Sequence, residues 1–493
     1  MEGGSGSDGA AAAPSPVIQV IVLGSGGGPQ EANTTAFLVR SLSSKWSKSS
    51  IVAVDAGVHL SAITRILEQT QPASLGEKGG PPLPYTIESG PFKGLEVESA
   101  SPAANATYIH CKLIDTYLIT HPHLDHIAGF VVNTAGIAGS RPKRLAGLPS
   151  TIAAFKNHIF NNVIWPNLSD ENNGAGLVTY MRLVDGGSPA IGDGEGRGYV
   201  ELSDGLSVKI WGVSHGHCIE KHSHRGSGAT SRYGSVDASI GSGMADVGIH
   251  SPHSPRTYRP QRSSGTGLGL LQQSQSQQDS RRSSVADVTN SPASPLESIC
   301  VYDSSAYFIR DLATGREILI FGDVESDSIS LSPRNRQLWC EAAPKVVAGK
   351  LAAIFIECSY DNSQPEDLLF GHLTPRFLVE EMAALASEVK IARDPEAAAA
   401  AASMLAKGGK KRKRSASAGT DGGSGDPGAV AADGIPAELE LQDLTVVIIH
   451  VKQKPCNDVP VGETILAELL EAAATAGLGC KFVISEAGKD YFF

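Results

Sequence analysis

The chain has few aromatic side chains, no closely paired cysteines and no long apolar run. Aromatic residues make up 6% of its 493 residues, against 54 glycines. This dilution predicts one large globular unit interrupted by disordered insertions, not three packed domains. The seven cysteines are scattered, with no Cys-x-x-Cys pair, which fits reduced thiols in a cytoplasmic protein, the nucleus being left open. With no membrane-length run and no signal-peptide pattern at the N-terminus, we expect no membrane partner.

The charge balance narrows the class of substrate. The formal net charge is −11, and a global polyanion is a poor general binder of nucleic acid. We therefore expect no stable nucleic-acid partner and no long polynucleotide substrate.

A dense group of metal-ligating residue types follows an apolar segment in the first third of the chain. The run 113–119 is β-branched and apolar and predicts a buried strand. His121 and His123 follow it two residues apart, so they point the same way in an extended segment. Asp125 and His126 come after the chain turns and can reach a second ion. Imidazole and carboxylate are the usual ligands of zinc and similar ions, so the run predicts a metal site.

The pattern His-x-His-x-Asp-His from His121 to His126 resembles the signature of the metallo-β-lactamase superfamily. The longer stretch His121–Ala135 is similar to one branch of it, the class II cyclic-nucleotide phosphodiesterases, which are low-affinity cAMP phosphodiesterases of fungi. This resemblance implies an α/β fold of the αββα type, in which two sheets pack between helices. It also implies two divalent metal ions, with zinc as the expected metal.

The resemblance supplies the remaining ligands from segments that end other predicted strands. His215 lies in a Ser-His-Gly pattern after the strand 206–213 and is preferred to His217, Asp323 follows Gly322, and His450 follows the strand 444–449. The implied ligands of the first ion are His121, His123, His215 and Asp323. Those of the second ion are Asp125, His126, Asp323 and His450.

Other residues are candidates for catalysis, support and substrate binding. The segment Gly371–Thr374 resembles the one that supplies a proton donor in related nucleases and phosphodiesterases, so His372 joins Asp125 as a catalytic candidate; a histidine that merely precedes a helix is the alternative. Asp55, which ends a strand, either orients a metal ligand or forms a turn. Trp165 and Asn167 either contact a purine or belong to the core and its turns.

The implied reaction is hydrolysis of 3′,5′-cAMP, with cGMP left open, to the 5′-nucleotide by a hydroxide shared between the two ions. The residues alone leave thioesters, lactones and β-lactams open. The alternative is a metallo-hydrolase like the tRNA 3′-processing endoribonucleases, which the acidic balance and the lack of an evident basic RNA-binding arm disfavour.

Composition also predicts the organisation of the chain. The expected segments are a disordered tail (1–16), a first core part (17–222), a Ser-rich disordered insertion (223–296), a second core part (297–396), an Ala-rich and basic disordered insertion (397–438) and a C-terminal core part (439–493). Ser284 follows two arginines in a pattern that resembles the recognition site of cAMP-dependent protein kinase, a predicted partner. The basic run Lys410–Arg414 is a nuclear import signal, a phosphate-binding patch or a solvated run.

The glycine-rich segment Gly24–Pro29 follows the first predicted strand, Val17–Leu23. Proline stands where the third glycine of a dinucleotide-binding loop belongs, and no amphipathic helix begins there. The segment therefore predicts a tight turn that needs a positive φ.

Overall fold

The computed structural model describes residues 15–135, 141–220, 298–394, 396, 399, 439–454 and 459–493. The chain divides into two compact units, and the first comprises Met1–Cys218 and Ile299–Phe493. The second unit, Ile219–Ser298, lies almost wholly outside the described residues. The same is true of Ser284 and of Lys410–Arg414, so the hypotheses about a kinase and a nuclear signal, like the segment boundaries, stay predictions.

Strands and helices of the described residues have the following bounds. The strands are β1 (Ile18–Gly24), β2 (Ala36–Ser41), β3 (Ile51–Val54), β4 (Tyr85–Thr86), β5 (Glu96–Val97), β6 (Ile114–Leu118), β7 (Lys143–Gly147), β8 (Val178–Arg182), β9 (Val200–Ser203), β10 (Leu206–Glu220), β11 (Ser298–Asp311), β12 (Glu317–Phe321), β13 (Leu351–Glu357), β14 (Thr445–Ile449), β15 (Lys481–Ile484) and β16 (Asp490–Phe492). The α-helices are α1 (Leu60–Thr70), α2 (Pro102–Tyr108), α3 (Leu124–Thr134), α4 (Pro149–Ala154), α5 (Asn335–Val347), α6 (Pro375–Arg393) and α7 (Val461–Ala476). Short π-helical turns occupy Ile109–Leu113 and Phe155–Ile159, and 3₁₀ turns occupy Glu31–Asn33, Leu42–Ser44, Gly194–Gly196 and Glu366–Leu368. None of these helices is both long enough and apolar enough to cross a bilayer, among the residues that the structure describes.

Two seven-stranded sheets form the centre of the first unit. Their strand orders are β16-β1-β2-β3-β6-β7-β8 and β15-β14-β13-β12-β11-β10-β9. In the first sheet β3, β6, β7 and β8 run parallel, and in the second β12, β13, β14 and β15 do so. The strands β4 and β5 form a separate small pair.

Alternating side chains of the strands build three apolar layers. In β1, Ile21 and Leu23 face a cluster that includes residues of α1 and α3, whereas Val20 and Val22 face the layer between the sheets. A third cluster joins the outer face of the second sheet to α5, α6 and α7. Because both faces of the central strands are buried, their sequences are continuous apolar runs. The predicted αββα sandwich is confirmed.

The ends of the parallel strands place the polar residues. In a parallel sheet all carboxyl ends meet at one edge, so loops that leave those ends converge. The loops after β3, β6, β12, β13 and β14 carry Asp55, the run 120–123, Asp323, Ser359 and His450.

Most of the predicted elements are present, but one strand has different bounds and several observed elements were not predicted. The strand that carries His215 does not end at Val213 but continues to Glu220, so His215 lies inside β10 and not after it. Its neighbour in the sheet, β11, is a similarly long strand, Ser298–Asp311. Helix α5, for example, was not predicted from the sequence. The glycine turn is as predicted, since Gly28 has a φ of +86°.

Candidate active site

The histidine run connects a strand to a helix. It leaves β6 at Leu118, His123 occupies the position before α3, and Asp125 and His126 lie in the first turn of that helix. Gly57 makes this junction possible, because a Cβ there would stand 1.8 Å from the carbonyl oxygen of Asp125. The loop after β3 and the start of α3 are therefore in direct backbone contact.

The predicted ligands form two groups that share Asp323. The potential ligand atoms within each group all lie within 4.8 Å of one another. The first group is His121, His123, His215 and Asp323, and the second is Asp125, His126, Asp323 and His450. These are the same two sets that the sequence predicts.

The carboxylate of Asp323 faces both groups. Its Oδ2 lies 3.5 Å from Nε2 of His121 and 3.5 Å from Nε2 of His215. Its Oδ1 lies 3.2 Å from Nε2 of His126, and its Oδ2 lies 3.3 Å from Nε2 of His450. A single carboxylate can therefore contact ligands of both groups at once.

The second group also contains a more accessible carboxylate. Oδ2 of Asp125 lies 3.9 Å from Nε2 of His126 and 3.7 Å from Nε2 of His450, and its side chain is 29% exposed. The other members are almost completely buried. Solvent therefore reaches the second group at Asp125.

Unpaired nitrogen atoms test whether the residues fit a metal. Nε2 of His121, His126 and His450 is buried without a hydrogen-bond partner among the described residues. A buried polar atom without a partner is costly and needs an explanation. Each of these atoms faces the Asp323 carboxylate. The donor set and its unpaired nitrogens fit divalent cations.

Hydrogen bonds on the far side of each ring fix its orientation. Nδ1 of His126 donates to Oδ2 of Asp55 at 2.7 Å, as predicted for that aspartate. Nδ1 of His215 donates to the carbonyl of Gly371 at 2.9 Å, and Nδ1 of His450 is 2.8 Å from Oγ1 of Thr35. Such partners leave the opposite nitrogen, Nε2, to face a metal.

Asp55 is itself held firmly in place. It accepts hydrogen bonds from N and Oγ1 of Thr120, both at 2.8 Å. Its φ is +53° and that of His450 is +57°. Non-glycine residues adopt this left-handed region only when their surroundings enforce it, and such strain clusters at functional sites.

The electrostatics of the cluster are those of imidazoles around a buried carboxylate. Burial alone would raise the pKa of Asp323, but His450, His126 and His121 outweigh it and hold that pKa well below the usual value. Burial also lowers the pKa of His121, and it lowers the pKa of His123 to about 4. Most of the histidines are thus neutral near pH 7, the state in which imidazole binds metal.

His126 differs from the other histidines because it touches two carboxylates. Burial would lower its pKa, but Asp323 and Asp55 outweigh burial and raise that pKa well above the usual value. A cation placed between His126 and Asp323 would therefore displace a proton from Nε2.

His372 and Glu357 form a buried pair beside the metal groups. Nδ1 of His372 lies 2.8 Å from Oε1 of Glu357, at the end of β13. The carboxylate also accepts hydrogen bonds from N of Val324 (2.8 Å), Oγ of Ser359 (2.5 Å) and N of Leu373 (3.3 Å). Glu357 thus determines which nitrogen of His372 carries the donated proton. No role was assigned from the sequence to Glu357, which ends an apolar run 15 residues before His372.

A third group of potential ligands, His215, Glu357 and His372, also lies within 4.8 Å. It fits a hydrogen-bond network better than a metal site. Both oxygens of Glu357 accept hydrogen bonds, and Nδ1 of His215 and of His372 is used in one.

A cavity of about 820 Å³ opens beside His123 and His215. Tyr302 and Phe370 line it, together with the exposed His217. Trp165 and Asn167 are not among its lining residues.

The two predicted substrate residues lie in a different part of the structure. Trp165 packs against the core cluster outside the first sheet. Asn167 organises its own turn, because its Oδ1 accepts from Oγ of Ser169 at 2.7 Å. No contact tests the substrate role of either, which stays a prediction.

The sandwich and the histidine–aspartate groups at its edge define a protein of the metallo-β-lactamase fold. Residues 18–185 and 269–403 match the family described as cAMP phosphodiesterases class-II, which is more than half of the chain. The chain belongs to this family, and the prediction of an enzyme of the phosphodiesterase class is confirmed.

Individual relatives and one solved structure agree with this assignment. A 3′,5′-cyclic-nucleotide phosphodiesterase of Schizosaccharomyces pombe is 26% identical over 373 residues, which cover 75% of each chain. A protein of the same name from Candida albicans is 26% identical over 408 residues, or 76% of this chain and 83% of that one. The crystal structure of unliganded yeast PDE1 superimposes with a TM-score of 0.58 at 19% identity, covering 97% of this chain and 100% of that chain, and shows the shared fold.

Proposed function

We propose that this protein hydrolyses 3′,5′-cAMP to 5′-AMP with two divalent ions, zinc being the expected metal, and so lowers cAMP signalling. The observation that carries the proposal is the position of Asp323, whose carboxylate faces histidines of both ligand groups. Nε2 of His121, His126 and His450 has no hydrogen-bond partner among the residues that the structure describes.

The proposed ligands are the two predicted sets, with Asp323 common to both. Two ions held there would lower the pKa of water toward ~7 and stabilise charge on phosphoryl oxygens. The protein's own part is to orient the imidazoles through Asp55, Thr35 and the Gly371 carbonyl.

His372 is the proposed proton donor to the departing 3′-oxygen. Its Nδ1 is engaged by Glu357, which leaves Nε2 to carry the proton that is transferred. The buried carboxylate holds the imidazole in a fixed orientation, as in other histidine–carboxylate pairs. His372 stacks on His450 with ring centroids 5.3 Å apart, so it lies against the second ligand group.

The cavity beside the histidines suits a small nucleotide. Phe370 and Tyr302 offer aromatic faces, and Phe370 is 68% exposed with a strained φ of +53°. An aromatic held in this way fits stacking on a base. Glu325, Glu366 and Asp367 also line the cavity, and these carboxylates would repel the backbone of an RNA more than a cyclic monoanion.

The test compares substrates on purified, metal-loaded protein. We expect release of 5′-AMP from 3′,5′-cAMP that stops when a chelator is added, and no cleavage of pre-tRNA. Parallel assays with 3′,5′-cGMP measure the base preference. Inert cAMP together with cleaved RNA would refute the proposal and favour the nuclease alternative.

The cavity proposal has its own variant. Replacing Phe370 by leucine keeps an apolar side chain but removes the stacking face, so we expect KM for cAMP to rise about 3–10-fold with little change in kcat. Trp165→Leu is the matched comparison, and a larger effect on KM there would favour the sequence-based prediction.

A further inference from the structure

A second polar cavity lies at the opposite edge of the second sheet. It has a volume of about 460 Å³ and is lined at the start of β12 by Glu317 and on β10 by Lys209. Glu317 lies six residues before Asp323, the ligand predicted after β12. Lys209 lies six residues before His215, the predicted ligand on β10. At about 3.3 Å per residue, a strand segment of six residues spans about 20 Å, which is the length of β10 between Lys209 and His215. We call this cavity the basic pocket.

The basic pocket concentrates positive charge in an acidic protein. Its five cationic lining residues are Arg197, Lys209, Arg310, Lys345 and Lys350, and its three acidic ones are Glu195, Glu317 and Glu341. The whole chain has a formal net charge of −11. An excess of cations in a concave site attracts anions and focuses the field.

Three of these cations are built into the structure. The side chains of Lys209, Arg310 and Lys345 are only 11–15% exposed. They surround the ring of Tyr199, with their charges 5.0, 5.7 and 5.1 Å from its centroid. Such cation–π contacts hold charged groups in position before any ligand arrives.

A buried carboxylate fixes the base of the pocket. Glu317 accepts from the hydroxyl of Tyr199 at 2.6 Å and lies 3.1 Å from Nζ of Lys345. The nearby Glu341 forms ion pairs with Lys209 at 2.9 Å and with Lys345 at 3.4 Å. These contacts keep the cations at fixed places.

The third carboxylate of the pocket, Glu195, differs from the other two because it is exposed to solvent. Glu195 is 65% exposed and reaches the pocket from the glycine-rich loop 185–198. It forms an ion pair with Lys350 and lies 3.6 Å from the guanidinium of Arg310. An ion pair exposed to solvent contributes little to stability, so a stronger anion can replace it. Without Glu195, five cations face two carboxylates.

We propose that the basic pocket binds a small phosphate-bearing molecule with at least two negative charges, and that Glu195 occupies its place in the free protein. The ligand's anionic oxygens would contact Lys350 and Arg310, the two cations that Glu195 now engages. A guanidinium and an ammonium side by side are suited to phosphate oxygens. The site is separate from the proposed catalytic centre and does not depend on it.

Inorganic sulfate, a dianion that does not strip metals strongly, is the probe. Its Kd is measured by titration calorimetry on the metal-loaded full chain, with chloride holding ionic strength constant, because surface charge effects depend on salt. Glu195→Gln removes the competing carboxylate, and we expect sulfate to bind about 3–5-fold more tightly. Lys350→Gln removes a contact and should weaken binding about tenfold.

Matched exposed residues on the same sheet serve as controls. Glu201→Gln on β9 and Lys481→Gln on β15 change the net charge by the same amounts outside the pocket. The proposal is supported if Glu195→Gln lowers the Kd for sulfate, Lys350→Gln raises it, and neither control variant changes it. Equal binding by all four variants would place sulfate elsewhere, and no measurable binding even by Glu195→Gln would show that the pocket holds no anion; either result overturns it.

Discussion

Two clusters of mostly buried histidines lie beside the same strand, β6, and they differ in their neighbours. The first, which we call the catalytic cluster after its proposed function, consists of the two potential ligand groups around Asp323. The second, the histidine–tyrosine cluster, consists of His59, His110 and Tyr117. In it Nε2 of His59 lies 3.1 Å from Nδ1 of His110, and the Tyr117 hydroxyl lies 2.9 and 3.0 Å from those two nitrogens. Burial is common to both clusters, so burial does not identify a metal site.

The carboxylate makes the difference. The charged groups that act on His59 are His110 and Lys143, with no acid among them, and its pKa falls well below the usual value, mainly through burial. Burial also lowers the pKa of His110 to about 3. Nδ1 of His59 also has no hydrogen-bond partner within the described part of the chain, so an unpaired nitrogen alone does not define a metal site either. The combination of an unpaired nitrogen and a facing carboxylate distinguishes the proposed metal site from the histidine–tyrosine cluster.

The largest expected effect follows from removing that carboxylate. Asp323→Asn keeps the shape but deprives both groups of their shared anion. We expect the metal content, measured by atomic emission, to fall from two ions per chain to less than one, and cAMP hydrolysis to fall by at least about 10³-fold.

Tyr117→Phe is the corresponding change in the histidine–tyrosine cluster. It removes the hydroxyl between His59 and His110, and we expect metal content and kcat to stay as in the wild type. An Asp323→Asn protein that keeps two ions would contradict the comparison.

The next effect separates chemistry from metal binding inside the catalytic cluster. His372→Asn removes the proposed proton donor, so kcat should fall by about 10²–10⁴-fold while both ions stay bound. Glu357→Gln should give a smaller fall in kcat, because the imidazole remains but loses its buried carboxylate. If His372→Asn instead lost an ion, His372 would be a ligand.

The two clusters also show what could be predicted from the sequence. The ligands from His121 to His126 were predicted because they are dense in the sequence. The remaining ligands were predicted because the resemblance to the family assigns a ligand to the short motif near the end of each later apolar run. Asp55 was found in the same way. The structure confirms its hydrogen bond to His126.

Contacts between distant segments had no such signal. His59 and Tyr117 are 58 residues apart, and neither lies in a motif. The pairing of Glu357 with His372 depends on the turn after β13, which brings together residues 15 positions apart. Trp165 illustrates a different difficulty. An aromatic residue beside a turn has the same local sequence whether it contacts substrate or packs on the core, and in the structure Trp165 packs against the core cluster.

A more moderate effect is expected where a carboxylate acts through a ligand. Asp55→Asn retains a side chain of the same size but weakens the hydrogen bond that orients His126. Loss of such a partner typically lowers metal affinity by about 10–100-fold. Titration with a competing chelator measures the change, and the two ions should remain bound when metal is in excess. An unchanged affinity would mean that Asp55 serves the backbone at Thr120 alone.

The smallest effect concerns pH and the cluster without a carboxylate. A folded-state pKa of about 3 at His110 lies below the unfolded value of ~6.5, so the native state binds fewer protons between these limits. The contribution of neutral His110 to the free energy of unfolding is therefore fully present above about pH 6.5, and it is lost as the pH falls toward 3. Between pH 7 and pH 5 this one histidine costs roughly 2 kcal/mol of unfolding free energy.

His110→Gln tests this difference, because glutamine does not titrate. Urea unfolding of wild type and variant at pH 7 and pH 5 gives four free energies, and the acid-induced loss should be about 2 kcal/mol smaller in the variant. Contributions from metal release at the catalytic cluster are common to both proteins and cancel in the difference. An equal loss in both would mean that His110 is protonated in the folded state, and the distinction between the two clusters would then rest on Asp323 alone.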